Sequence, residues 1–166
     1  MKLKLNKEFF LRHLFVACLM AGMSIWFGYD GFIGYPKTPA SELYRAIEGT
    51  QAPEGCNLEA FKAQKIKTQY GFTLLTFIAA LLVGAHLVKV ASLDVRFDEK
   101  GFSWKGRDFK YSDILKIDDS RWNTKGICVI SLDSGKLTLD AWHHIGVKEF
   151  HEKLKSPLCV QSENMI

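Results

Sequence analysis

The chain has 166 residues, 48% of them hydrophobic and 24% charged, with a formal net charge of +4. These averages are ordinary for a soluble domain, but the apolar residues pool in two runs and the charges pool elsewhere. The positive surplus gathers at Lys2, Lys4, Lys7 and Arg12, opposed there only by Glu8, so it is no basic stripe of the kind nucleic acid requires. Cys18, Cys56, Cys128 and Cys159 are scattered and form no CxxC, so neither a disulfide framework nor a zinc site is indicated.

The first apolar run extends from His13 to Tyr29. A bilayer core needs roughly 20 apolar helical residues, and this run with its flanks supplies a span over about residues 10–33. The helix is expected to start near Lys7 and to break at Gly31, Gly34 and Pro36. A basic segment precedes it, yet the apolar stretch is long and no A-x-A pattern follows, so an uncleaved helix is expected. Arg12 and His13 suit one interface by snorkelling. Trp26, Tyr29 and Tyr35 suit the other as an aromatic belt.

The segment 36–69 reads as an external helical loop. Thr38 is the expected N-cap of a short helix over Ala40–Glu48, with Gly49 as its stop. Pro53 and Gly55 then interrupt the chain, and Asn57 is placed to cap a long helix from Leu58 to Val90. Its apolar part, about residues 70–91, is the second span. Small residues recur four apart at Ala17/Ala21, Ser24/Gly28 and Ala80/Gly84, a pattern that lets helix backbones approach closely, although composition alone also yields it. Basic residues flanking the spans give a modest bias that places both termini in the cytoplasm. The expected location is the inner, cytoplasmic membrane of a bacterium, crossed twice.

From Leu93 the period changes from helix to strand. Leu93, Val95 and Phe97 alternate with Asp94, Arg96 and Asp98. Short strands are expected at Phe102–Trp104 and around Phe109–Tyr111, then from Ile114 to about Trp122, with a turn at Asn123–Gly126. Ile127–Leu132 and Lys136–Leu139 form a hairpin through Asp133-Ser134-Gly135. Val147, Phe150, His151 and Leu154 recur at helical spacing and mark an amphipathic helix from about Gly146 to Lys155. Residues 159–166 are expected to fray. The reading is therefore α+β, a two-helix transmembrane hairpin (1–92) followed by a small antiparallel sheet domain (93–158) closed by a C-terminal helix.

The segment Val95–Trp104, the stretch Phe109-Lys110-Tyr111-Ser112-Asp113-Ile114-Leu115-Lys116-Ile117 and the hairpin Ile127–Leu139 before the helix resemble bacterial membrane-attached pleckstrin-homology-like (PH-like) domains. In that family a Y-x-D-I-x-x-I stretch opens a strand after the first hairpin, and transmembrane helices flank the domain. The chain departs from it in showing about six strands where the full fold has seven. The resemblance implies interaction or scaffolding without catalysis. Lipid-binding members grip phosphate with basic residues of the first strand loop, which points here to Lys100, Lys105, Arg107 and Lys110 as possible headgroup contacts.

Other constellations are weaker. His143, His144 and His151 with Asp140 lack the spacing of metal ligands, so no metal is expected; Asp140 or a neighbour should cap the last helix, and Trp142 should be buried. His13 and His86 fall at the same end of the two spans, either as interfacial anchors or as a pair able to hold haem; no cofactor is expected. Asp118-Asp119-Ser120-Arg121 reads as a solvated strand end. The expected function is a non-catalytic membrane-anchored scaffold or accessory subunit. Its partners would be the lipid bilayer and a membrane protein or a second copy, and not nucleic acid. The alternative is a sensor of lipid headgroups or of a peptide strand at the membrane surface.

Overall fold

The computed structural model describes residues 1–156, so the frayed tail expected at 159–166 lies outside the described residues. The elements are β1 (Lys4–Leu5), α1 (Lys7–Tyr29), a π-helical turn (Asp30–Gly34), α2 (Tyr35–Lys37), α3 (Ala40–Glu48) and α4 (Leu58–Ala91). A strand-rich region follows, with β2 (Val95–Phe97), β3 (Gly101–Trp104), β4 (Arg107–Lys110), β5 (Lys116–Asp118), α5 (Trp122–Lys125), β6 (Ile127–Leu132), β7 (Gly135–Asp140), β8 (His144–Ile145) and α6 (Val147–Leu154). The chain is thus α+β, with two long apolar helices and small antiparallel sheets. It forms two compact units, one of residues His13–His86 and one of Met1–Arg12 together with the chain from Leu87 onward.

In the unit His13–His86, both helices are long and apolar enough to cross a membrane. The first does not break at its glycines. Gly31 and Gly34 stay right-handed within the π turn, and helix continues to Lys37. Pro36 is tolerated because it sits just after that turn, where the regular hydrogen-bond ladder is already interrupted. Thr38 is the C-cap of this helix rather than the N-cap of α3: its hydroxyl donates to Gly34 O at 2.9 Å, and Pro39 stands at the α3 N-cap. Gly49 ends α3 and Asn57 Oδ1 accepts the Ala60 N–H at 3.0 Å, as expected of each.

The two helices of this unit meet along a seam of small and polar residues. Ser24 is buried and donates to Thr73 O at 3.1 Å. Thr73 and Thr76 turn their hydroxyls back onto their own helix, to Gln69 O and Phe72 O. Ala17 and Gly28 are half-buried, as are Ala80 and Gly84, whereas Ala21 is exposed and lies off the seam. The tightest approach is at Gly31: a Cβ there would stand 2.9 Å from the Tyr70 ring and 3.2 Å from Gln69 Cβ. Gly84 has nothing within 4 Å of such an atom. Phe27–Phe72 and Phe32–Tyr70 ring contacts continue the seam, and Gln69 Nε2 donates to the Tyr35 hydroxyl at 3.0 Å.

In the other unit, strands β2-β3-β4 form one antiparallel sheet and β5-β6-β7 a second. Alternation sets what each strand buries: Val95 and Phe97 point in and Arg96 out, while Cys128, Ile130 and Leu132 point in from β6. Helix α6 buries Val147, Phe150, His151 and Leu154, and Phe150 stacks on Phe97 with ring centroids 4.7 Å apart.

The expected strand from Ile114 to Trp122 is shorter. Asp118 accepts both the backbone N–H and the hydroxyl of Ser120, which curls the chain off the sheet, and Trp122–Lys125 is a helical turn. Gly126 ends that turn at φ 66, a left-handed conformation glycine adopts without steric cost. The two sheets hold the six strands foreseen, and a two-stranded pair, β1 with β8, is added to them. Lys4 lies opposite Ile145 and Leu5 opposite His144, while Lys2 bridges to Arg96 on β2. Phe9 from the start of α1 and Leu87 and Val90 from the end of α4 are buried as a second cluster of the same unit.

Candidate functional site

The outer face of β2-β3-β4 is built from the residues that the alternation turns away from the core. Register places Lys2, Arg96, Ser103 and Asp108 in one row across the sheet, and Gly101 opposite Lys110. A cleft of about 640 Å³ lies here, lined in part by Lys2, Arg96, Asp98, Lys100, Lys110 and Asp113. It carries charges of both signs. Lys2 pairs with Asp94 at 3.0 Å, and Arg96 reaches the same carboxylate at 3.9 Å. Asp98 accepts the N–H groups of Lys100 and Gly101, and these hydrogen bonds hold its carboxyl below the usual range. Asp113 accepts the Lys110 N–H at 2.8 Å. Met1 and Phe109 also line the cleft, so it combines charges of both signs with apolar surface, suited to a partner that supplies both signs.

A second cleft, of about 330 Å³, opens at the β3–β4 turn and is lined by Trp104, Lys105, Arg107, Phe109 and Ser134. The turn is two residues long, Lys105-Gly106, both with positive φ. Lys105 folds back so that Nζ lies 4.5 Å from the Trp104 ring centroid. Among the described residues no carboxylate lines this cleft, so its chemistry favours an anion. The four basic residues expected at one site therefore divide: Lys100 and Lys110 stand among acids, and Lys105 and Arg107 do not.

His144 and His151 do not converge. His144 is in β8 and His151 in α6, so they share no helix face. His144 Nε2 lies 3.1 Å from Val90 O, and its Nδ1 is buried without a hydrogen-bond partner. Burial pushes its pKa down. His151 stacks on Trp122 at 3.7 Å and its Nε2 is 3.8 Å from Asp119 Oδ2, too far for a hydrogen bond. Burial first and the Lys155 charge second lower its pKa, while Lys155, 2.6 Å from Asp119, lowers that carboxyl. Cys128, fully buried beside these acids, is pushed up to about 11, chiefly by burial. Among the described residues no group of three His, Cys, Asp or Glu is placed to hold a metal. The rings of His13 and His86 do come together, with centroids 6.3 Å apart and planes tilted by 52°.

Asp140 does not cap α6. It accepts the Trp142 N–H at 2.8 Å and stands 3.6 Å from His143 Nδ1, shaping the turn between β7 and β8. That turn leaves Trp142 47% exposed rather than buried. Sequence reasoning missed this turn and β1 because each rests on pairings between residues far apart in the chain; Asn6 donates from Nδ2 to Trp142 O at 2.9 Å and from its backbone to His143 O at 2.8 Å.

Comparison with known proteins identifies no relative: no family model, no curated protein and no solved structure matches the chain.

Proposed function

We propose that this protein is a non-catalytic scaffold or accessory subunit of a larger complex in a bacterial inner membrane, spanning it twice with both termini cytoplasmic. One observation carries the reading. The first turns of α1 and the last turns of α4 belong to the same compact unit as the β-sheets, with Phe9, Leu87 and Val90 buried there. The sheet domain thus includes chain from the start of one candidate span and the end of the other, and this continuity of chain supports a membrane-tethered scaffold. Two three-stranded antiparallel sheets, the added N-terminal pairing and α6 on their core support a PH-like assignment of this domain.

The acid-free cleft at Lys105 and Arg107 favours a second reading, a sensor of anionic headgroups or acidic peptide. Gentle detergent extraction from the native membrane, with sizing and mass spectrometry of co-purifying chains, separates the two. A large particle of fixed composition supports the subunit. A particle of monomer or dimer size, combined with loss of binding to anionic vesicles in the K105E/R107E double variant, supports the sensor.

A further inference from the structure

We propose that the turn between β7 and β8 is a second membrane contact, with Trp142 seated at the headgroup–acyl boundary of the leaflet that the helix ends enter. The inference rests on the membrane-spanning reading of the two helices.

Arg12 sets the depth. It is the last charged side chain of α1 before the uncharged run 13–29. An arginine there lies at the interface, because moving it deeper costs about 2.5–3.5 kcal/mol on insertion scales. Its guanidinium is 6.0 Å from the centroid of the Trp142 ring. The indole therefore sits at the level of the lipid headgroups, the depth that tryptophan favours in membrane proteins. Two hydrogen bonds from Asn6, the residue before α1, tie the turn to this position.

Ile145 is a second exposed apolar side chain, three residues farther along the chain. It is 57% exposed, although its neighbour His144 is buried, because the β1–β8 pairing turns alternate residues to opposite faces. Its cross-strand partner is Lys4. The exposed indole beside Arg12, whose guanidinium also pairs with Glu8 at 2.6 Å, and the exposed isoleucine opposite Lys4 suit a bilayer surface: the indole enters the acyl boundary, and Lys4 adds a cation facing the headgroups. The cleft on β2-β3-β4 also carries an exposed apolar side chain, Met1, but sets it among charges of both signs.

The test uses the full chain in lipid nanodiscs made with or without phospholipid brominated near the headgroup end of its acyl chains. Tryptophan emission is recorded for the wild type, W142F and W26F, and each residue's share is taken by difference. The expected result is loss of the Trp142 share in brominated discs and little loss to aqueous iodide. If iodide quenches that share and bromine does not, while the Trp26 share remains bromine-sensitive, the turn is in water and the proposal is overturned with the spans intact. Shielding of Trp142 from both quenchers means that protein covers it, which also overturns the proposal. Insensitivity of both Trp26 and Trp142 to bromine removes the membrane reading itself.

Discussion

The two compact units bury opposite kinds of side chain. The β-rich unit hides Phe150, Ile130, Leu137 and Leu139 almost completely and turns Arg96 and Lys110 outward. The unit His13–His86 does the reverse: Ser24, Thr76 and Gly31 are inside, and Phe15, Ile25, Leu74 and Leu75 are outside. In water the second arrangement would expose a large apolar surface without compensation. In hydrocarbon it is the economical one, since lipid is as apolar as leucine and helices associate through close packing and hydrogen bonds instead. What each unit hides therefore suits a different solvent, water for the β-rich unit and hydrocarbon for the other.

Removing the same kind of group from each unit should break this comparison if it is false. Phe150→Ala should cost about 3–5 kcal/mol and unfold the β-rich unit, because a fully buried aromatic leaves a cavity. Leu75→Ala, at a position 64% exposed, should leave the stability of the hairpin in lipid within about 0.5 kcal/mol. Chemical denaturation of both variants in nanodiscs is the measurement. Equal losses would mean that the helices, too, are held by apolar burial.

A steric contrast within the hairpin is expected to be smaller. Gly31→Val should destabilise helix pairing by about 1–3 kcal/mol, because its Cβ overlaps the Tyr70 ring and lies against Gln69 Cβ. Gly84→Ala should have almost no effect, as open space surrounds that position. Fluorescence energy transfer between labels on the two helices reads the pairing. A larger effect at Gly84 would move the tight contact to the other end of the seam.

The smallest expected effect is a pH dependence confined to the β-rich unit. Burial lowers the pKa of His144 and His151 from 6.5. As pH falls below about 6.5 the unfolded chain takes up these protons before the folded one, so stability declines until the folded imidazoles titrate. The slope is at most about 1.4 kcal/mol per pH unit for each proton. Asp119, whose pKa is lowered from 3.8, begins to lose its contribution only in more acid solution, so its window opens at lower pH than that of the histidines. Melting of the wild type and H151F between about pH 7 and pH 5 should show a drop in the first that is shallower in the second. A flat wild-type profile would mean that the imidazoles are not held neutral by burial.

Local signals were legible wherever a residue acts on its own neighbours. Asn57 capping α4, Gly49 ending α3, the alternation in β2 and the helical spacing of Val147, Phe150 and Leu154 all depend on groups a few positions apart. Signals that depend on distant partners were not. Gly31 reads as a breaker until Tyr70 is seen against it, and Lys4-Leu5 has no strand signature until His144-Ile145 is there to pair with it. Trp142 reads as core because most tryptophans are largely buried, yet the Asp140 turn and the Asn6 hydrogen bonds set it outward.

The sequence by itself determined that two runs are long and apolar enough to cross a membrane and that an alternating, strand-forming region follows them, because periodicity and hydropathy are properties of neighbouring residues. The tertiary structure alone decided which small residues touch, which of the basic side chains escape acidic neighbours, and that the first residues of the chain complete the β-rich unit. Those outcomes turn on strand register and on the approach of backbones far apart in sequence, and no local pattern carries them.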